Sequence, residues 1–343
     1  MNKFRLSYKG IGLFVKFCVF SIALIYLPYK IYTQYQSLSA ANVKFHHPSL
    51  LILVFALMGL NWLIESFKWK LLVNSFQPFS YVQSIKGILA GISISLFMPN
   101  RTAEIAGRLK GIHAENKIKI TMYSIWFNLA QLLVTIGFGI AAMLFLPYFS
   151  KASSGFMVPT VLPSQFTSFF EGSKWLLIIG LIAILFLYFR FPSLVNYFSH
   201  FKRWKWINTN LPSQLTLNNF LLTQILILSI FRYAVFTLQY YILLQYTGVF
   251  LSPLTGLCLI ALIYFFVTII PTFAFTELGV RVSIAVAIIG TVNNNTIGIS
   301  LAALILWLIN LGIPGLLGVL VWNPFPEFRR AFHLPYSKQI TSK

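Results

Sequence analysis

Long apolar runs separated by short basic loops constrain this chain more than any other feature. They fall at about 11–27, 49–66, 81–98, 120–146, 174–189, 220–244, 253–270 and 299–321, with a shorter run at 280–290. About 20 apolar residues cross the hydrocarbon core of a bilayer, so all but the run at 280–290 are long enough to be buried in or to cross a membrane. Backbone N–H and C=O groups find no water at that depth, and a helix satisfies them within its own segment. With 58% hydrophobic and 9% charged residues, the 343 residues carry too little polar surface to cover a soluble domain. The expected class is an all-α polytopic membrane protein.

The charge balance is lopsided, with 26 Lys+Arg against six glutamates and no aspartate, a net +20. Nucleic acid is not the expected partner, because the basic residues sit in short loops between apolar runs. That pattern suits cytoplasmic anchoring and attraction to anionic headgroups. The N-terminal run follows Lys3, Arg5 and Lys9 as a secretory signal would, but Lys16 interrupts it and the nearest small-residue site lies well beyond it. It reads as a retained helix. Cys18 and Cys258 lie in apolar runs without metal-ligand spacing, and the histidines cluster only at His46 and His47. Neither a disulfide framework, a metal site nor a cofactor is expected.

One stretch repeats. Pro99-Asn100-Arg101-Thr102-Ala103-Glu104-Ile105-Ala106-Gly107-Arg108 returns as Pro271-Thr272-Phe273-Ala274-Phe275-Thr276-Glu277-Leu278-Gly279-Val280-Arg281. Each has a proline behind an apolar run, then a glutamate, then an arginine four residues on. Ser80 and Ser252 each lie nineteen residues before their proline. Proline lacks a donor and disfavours helix in the residue before it, so each ends an incoming half-helix. Asn100 or Thr102, and Thr272 or Thr276, are the candidate caps of the outgoing one. Each motif is then the tip of a re-entrant hairpin, tolerated at membrane depth when buried in protein or lining a wet cavity.

Counting Lys and Arg in the loops sets the orientation. With both motifs as re-entrant hairpins, sixteen fall on the cytoplasmic side and four (Lys30, Lys44, Lys151, Lys174) outside. Both termini are then cytoplasmic, and the repeats, about 49–147 and 220–322, have opposite topology. An inverted repeat with a midplane site at broken helices is a common plan of secondary transporters. The expected layout is one membrane domain over 1–343. It comprises an N-terminal helix at 11–27, two repeats joined by a helix at 174–189, and a cytoplasmic tail at 323–343. That is about six full transmembrane helices plus the two hairpins.

A charge at the bilayer centre costs about 2.5–3.5 kcal/mol even on the milder scale. Glu and Arg four apart on a helix pair and lower that cost. Two readings of Glu104/Arg108 and Glu277/Arg281 stay open and are compatible: ion pairs that hold the hairpin tips, or substrate and proton coupling. An outgoing helix N-terminus beside Arg101 and Arg108 suits an anionic group such as a lipid phosphate. Arg232 and Gln239, near mid-span, either line the same cavity or serve structure. Glu65 lies beside Lys68 and Lys70 near a helix end and reads as an interfacial pair. Asn128, Gln131 and Asn310 read as interhelical hydrogen-bonding residues. Trp62, Trp69, Trp204, Trp206 and Trp322 read as interfacial belt residues.

Through these motifs the chain resembles the transmembrane, flippase-like domain of the lysylphosphatidylglycerol synthase family, over roughly residues 10–325. The first family motif, Pro-x-Arg-x-Gly-Glu, is matched by Pro99, Arg101 and Glu104. The second, Pro and a turn followed by Leu-Gly-Val-Arg, is matched by Pro271 and Leu278 to Arg281. Ala103 replaces the family glycine, Phe275, Thr276 and Glu277 stand in the Gly-rich turn, and Val282 stands where a glutamate is usual. The soluble lysyl-transfer domain is not present in this sequence. The resemblance implies translocation of an anionic or amino-acylated lipid or glycolipid in the cytoplasmic (inner) membrane, without synthase activity. The substrate-binding or coupling residues would be Arg101, Glu104, Arg108, Glu277, Arg281 and Arg232. A homo-oligomer, and a separate lipid-modifying enzyme as partner, are compatible with it. Two other classes stay open: a membrane-embedded transferase on a lipid-linked substrate, with Glu104 or Glu277 as base, and a scaffold with structural ion pairs.

Overall fold

A computed structural model describes residues 45–95, 104–152, 172, 175–176, 178–190, 219–270 and 274–322. Among them the secondary structure is helical throughout. The helices are α1 (Ser49–Asn74), α2 (Tyr81–Ser95), α3 (Glu104–Arg108), α4 (Ala114–Ala152) and α5 (Ile178–Arg190). They continue with α6 (Asn219–Tyr246), α7 (Pro253–Ile269), α8 (Ala274–Ile289), α9 (Thr296–Trp307) and α10 (Ile313–Trp322). A five-residue π-helix, Leu308–Gly312, joins α9 to α10.

Among the described residues, four segments are long and apolar enough to cross a membrane: Ser49–Asn74, Ala114–Phe145, Asn219–Tyr246 and Thr296–Val319. Large apolar side chains stand exposed along them, among them Ile52, Phe55, Leu63, Ile125 and Phe231. In water such a surface would drive association; in a bilayer it is the lipid-facing side. The expected first helix at 11–27 lies outside the described residues, as do Pro99 to Arg101 and Pro271.

Three local features differ from what the apolar runs alone suggest. Helix α1 does not stop near 66 but runs to Asn74, through Lys68 and Lys70. Lys68 is tolerated there because Glu65, one turn back, pairs with it. Helix α8 starts at Ala274, so Thr276 and Glu277 lie inside it and Thr276 is not its cap. The last span is not one regular helix, because the π-helix interrupts it at Asn310.

The helices interleave. α1 packs along α6, α2 packs along α10, and α4 packs along α7. Thus the second helix of each half lies against the last span of the other half. The larger core lies between α1, α4, α6, α7, α8 and α9, around Tyr240, Leu259, Ile263 and Ala302. A second core beside α3 gathers Trp69, Ile88, Ile120, Phe127 and Tyr188. A small cluster, Leu278, Trp307 and Leu311 with Ile92, brings α8 up to α2.

Candidate functional site

The first charged motif is held against α2 by glycines. A Cβ on Gly107 would stand 2.5 Å from the Gly91 backbone nitrogen, and one on Gly91 would stand 2.7 Å from the Glu104 carbonyl oxygen. Only hydrogen fits at this crossing, so α3 lies in backbone contact with α2. Ser84 anchors α2 to α1 by donating to the Ser66 carbonyl. Gln77 fixes the turn after α3, donating to the Gly111 carbonyl and accepting from the His113 backbone N–H. Gly111, at φ +82°, allows the chain to reverse there.

These contacts carry Arg108 into a buried ion cluster. Its Nη2 donates to Glu65 Oε1 at 2.7 Å and also to Glu104 Oε1, so one nitrogen joins α1 to α3. The other oxygen of Glu65, Oε2, faces Arg232 Nη1 of α6 at 3.2 Å and Lys68 Nζ at 3.4 Å. Side-chain exposure is 1% for Lys68, 4% for Arg108 and 5% for Glu65, but 20% for Arg232 and Glu104. Three cations thus face two carboxylates, a net charge of +1 with all five ionised.

Aromatic faces carry part of that positive charge. Lys68 Nζ lies 4.3 Å from the Phe127 ring centre, and Arg108 lies 5.5 Å from both the Trp69 and Phe127 rings. Cation–π attraction gains strength where water is excluded. Trp69, expected in an interfacial belt, is fully buried, packed edge-to-face on Phe127 beneath Arg108. Its indole N–H, the Arg108 Nε–H and the Ser66 hydroxyl are buried with no hydrogen-bond partner among the described residues.

From Arg232 a file of amides leads away from the cluster. Arg232 Nε donates to Asn61 Oδ1 at 2.9 Å, and Nη1 lies 3.5 Å from Gln131 Oε1 of α4. Asn61 Nδ2 donates to Asn310 Oδ1 at 3.4 Å, Asn310 Nδ2 to Gln239 Oε1 at 2.8 Å, and Gln239 Nε2 to the Val54 carbonyl at 3.0 Å. The donors run in one direction. Glu65 and Val54 are eleven residues apart on α1, a rise of about 16 Å, roughly half the hydrocarbon thickness.

The second motif forms its own pair. Arg281 Nη2 donates to Glu277 Oε1 at 2.8 Å within α8, and both side chains are largely buried. Among the described residues, Arg281 Nε has no hydrogen-bond partner.

Of the residues singled out in the sequence, Glu104, Arg108 and Arg232 come together, Glu277 and Arg281 pair with each other, and Arg101 lies outside the described residues. The residue that sequence reasoning underrated is Glu65. It is the hub of the cluster rather than an interfacial partner of Lys68 and Lys70. Its signal was present: Leu71-Leu72-Val73 resume the apolar run beyond Lys70, which places Glu65 and Lys68 inside the helix, one turn apart. Gln131 and Asn310 bond across helices as expected, whereas Asn128 is exposed. Among the described residues, no group of three His, Cys, Asp or Glu assembles that could hold a metal ion. The arrangement offers buried cationic donors in slight excess and a strip of neutral amides. Set against protein-family models and against curated proteins, the chain matches none.

Proposed function

We propose that the chain is a lipid flippase or lipid transporter of the cytoplasmic (inner) membrane. It moves a lipid headgroup, anionic or amino-acylated, between leaflets past two charged re-entrant hairpins. The observation that carries this reading is the five-charge cluster at the meeting of α1, α3 and α6. Burying ions is costly, and a hydrophobic replacement of similar volume is often as stable or more so. A scaffold has no need of such a cluster; a protein that draws a charged headgroup through an apolar slab does.

The inverted repeat belongs to this proposal. In its favour, the packing of α2 on α10 and of α4 on α7 is an exchange of equivalent elements between the halves. Two opposed hairpins give alternating access a plausible moving part: each half exposes its own motif to one leaflet. Arg108 and Arg281 then hold the headgroup in turn, with Glu104 and Glu277 as their partners when no substrate is present.

Two measurements test the reading. With Cys18 and Cys258 replaced, a single cysteine at Lys119 should label only from the cytoplasmic side and one at Asn294 only from outside. Labelling of position 119 from outside would remove the opposed hairpins. In proteoliposomes, the double variant Arg108→Gln, Arg281→Gln should lose lipid movement that the wild-type chain supports. Unchanged movement in that variant would rule the site out.

A further inference from the structure

The proposed function leaves two headgroup classes open, and the charge count of the cluster separates them. Glu65, Glu104, Lys68, Arg108 and Arg232 sum to +1 when ionised, inside a protein where water does not screen them well. One bound anion neutralises the site. A headgroup carrying an ammonium adds a like charge to it.

The place where that anion docks can be read from the donors. Arg232 uses Nε on Asn61, and Nη1 on Glu65 and Gln131. That leaves Nη2 as the uncommitted end of its guanidinium fork among the described residues. Its side chain, at 20% exposure, is also the most open of the three cations. Lys68 and Arg108 also keep spare N–H groups, but their side chains are 1% and 4% exposed, so a phosphodiester oxygen reaches Arg232 Nη2 with the least displacement of packed side chains.

Beyond Arg232 the polar groups change from charge to amide. Asn61, Asn310 and Gln239 are joined head to tail, each acting as both donor and acceptor. A hydroxyl group is also both donor and acceptor. When a polyol enters the file, each amide–amide bond can be exchanged for an amide–hydroxyl bond, and no buried polar atom is left alone. An ammonium group only donates. It would leave the amide N–H groups unpaired while sitting beside the excess positive charge.

We propose that this site selects lipids whose headgroup is a phosphodiester of a neutral polyol, a glycerol or sugar, and rejects amino-bearing headgroups. The inference rests on the flippase reading for its setting, but headgroup choice is read in binding and does not require movement. The full-length chain in detergent would be titrated with tail-labelled phosphatidylglycerol, phosphatidylethanol, phosphatidylethanolamine and lysyl-phosphatidylglycerol. Phosphatidylethanol should bind at least about tenfold more tightly than either amino lipid, which reads the charge. Phosphatidylglycerol should bind about fivefold more tightly than phosphatidylethanol, which reads the hydroxyls.

Arg232→Gln should remove the first ratio. Asn310→Leu should shrink the second and leave the first, so a merely misfolded protein is told apart from a changed site. Equal binding of all four lipids, or a preference for either amino lipid, overturns the proposal. Displacement of phosphatidylglycerol by glycerol 3-phosphate at equal concentration would assign the site to a soluble ester and overturn the lipid part. Selective binding without movement in proteoliposomes would sink the flippase reading and leave headgroup selection standing.

Discussion

The two charged motifs share the four-residue step from Glu to Arg but have different surroundings. Ser80 and Ser252, like Pro99 and Pro271, are 172 residues apart, and that offset carries α1 onto α6. Under it Glu65 corresponds to Thr237, Lys68 to Tyr240 and Asn61 to Tyr233. In the first half those positions build an ionic hub around Arg108. In the second they hold a tyrosine cluster, with Tyr264 ring centres 6.0 Å from Tyr233 and 6.1 Å from Tyr240. Arg281 therefore pairs with Glu277 alone among the described carboxylates, where Arg108 meets two. The Glu/Arg pair alone sets no chemistry. The helix packed behind it decides whether the pair becomes part of a charged site or part of a core.

The comparison breaks most easily at its centre. Glu65→Gln leaves three buried cations facing one carboxylate, and removing one partner of a buried ion network costs about 3–5 kcal/mol. The counterpart, Thr237→Val, removes one local hydroxyl bond to the Tyr233 carbonyl and should cost less than about 1 kcal/mol. Thermal unfolding in detergent measures both. Similar losses for the two variants would mean that the halves do not differ in the way the side chains indicate.

The glycines of the two motifs sharpen the same contrast. A methyl on Gly107 would meet the Ala90 carbonyl oxygen at 2.6 Å and the Gly91 nitrogen at 2.5 Å, both backbone atoms with little freedom to move. Gly107→Ala should cost about 1–3 kcal/mol and loosen α3 from α2. Gly279, 172 positions on and two residues before Arg281 instead of one, has no described atom within 4 Å of its Cβ position. There alanine removes backbone entropy from the unfolded chain and should be neutral or gain up to about 1 kcal/mol. A destabilised Gly279→Ala would indicate a close approach on α8 like the one on α3.

What the sequence made legible was local. The apolar runs located the four long apolar helices among the described residues, because hydropathy needs no knowledge of neighbours. The spacing of Glu104 to Arg108 and of Glu277 to Arg281 put each pair on one helical face, and both pairs form. Contacts between helices were not legible. Glu65 meets Arg108 across 43 positions, and Arg232 meets Asn61 across 171, and no periodicity within a run says which helices will be adjacent. Trp69 was misread for the same reason. An indole near charged residues suits an interface, and only the arrival of α3 and Phe127 turns it into the floor under Arg108.

The smallest effect tests whether the halves are joined by the amides. Asn310, in the π-helix, accepts from Asn61 of α1 and donates to Gln239 of α6, so one side chain spans the α1–α6 seam. π-Helical turns are costly and recur at functional positions, and this one turns Asn310 into the seam. Interhelical hydrogen bonds in membranes average only about 0.6 kcal/mol, because the unfolded helices find other partners. Asn310→Leu should therefore cost about 1 kcal/mol through its two interhelical bonds. A double-mutant cycle of Asn310→Leu with Asn61→Leu isolates the bond between them, and a coupling of about 0.6 kcal/mol is expected. Coupling near zero would cut the file between Asn61 and Asn310. The ionic hub would then meet α6 through Arg232, with the amides beyond Asn61 contributing nothing to that contact.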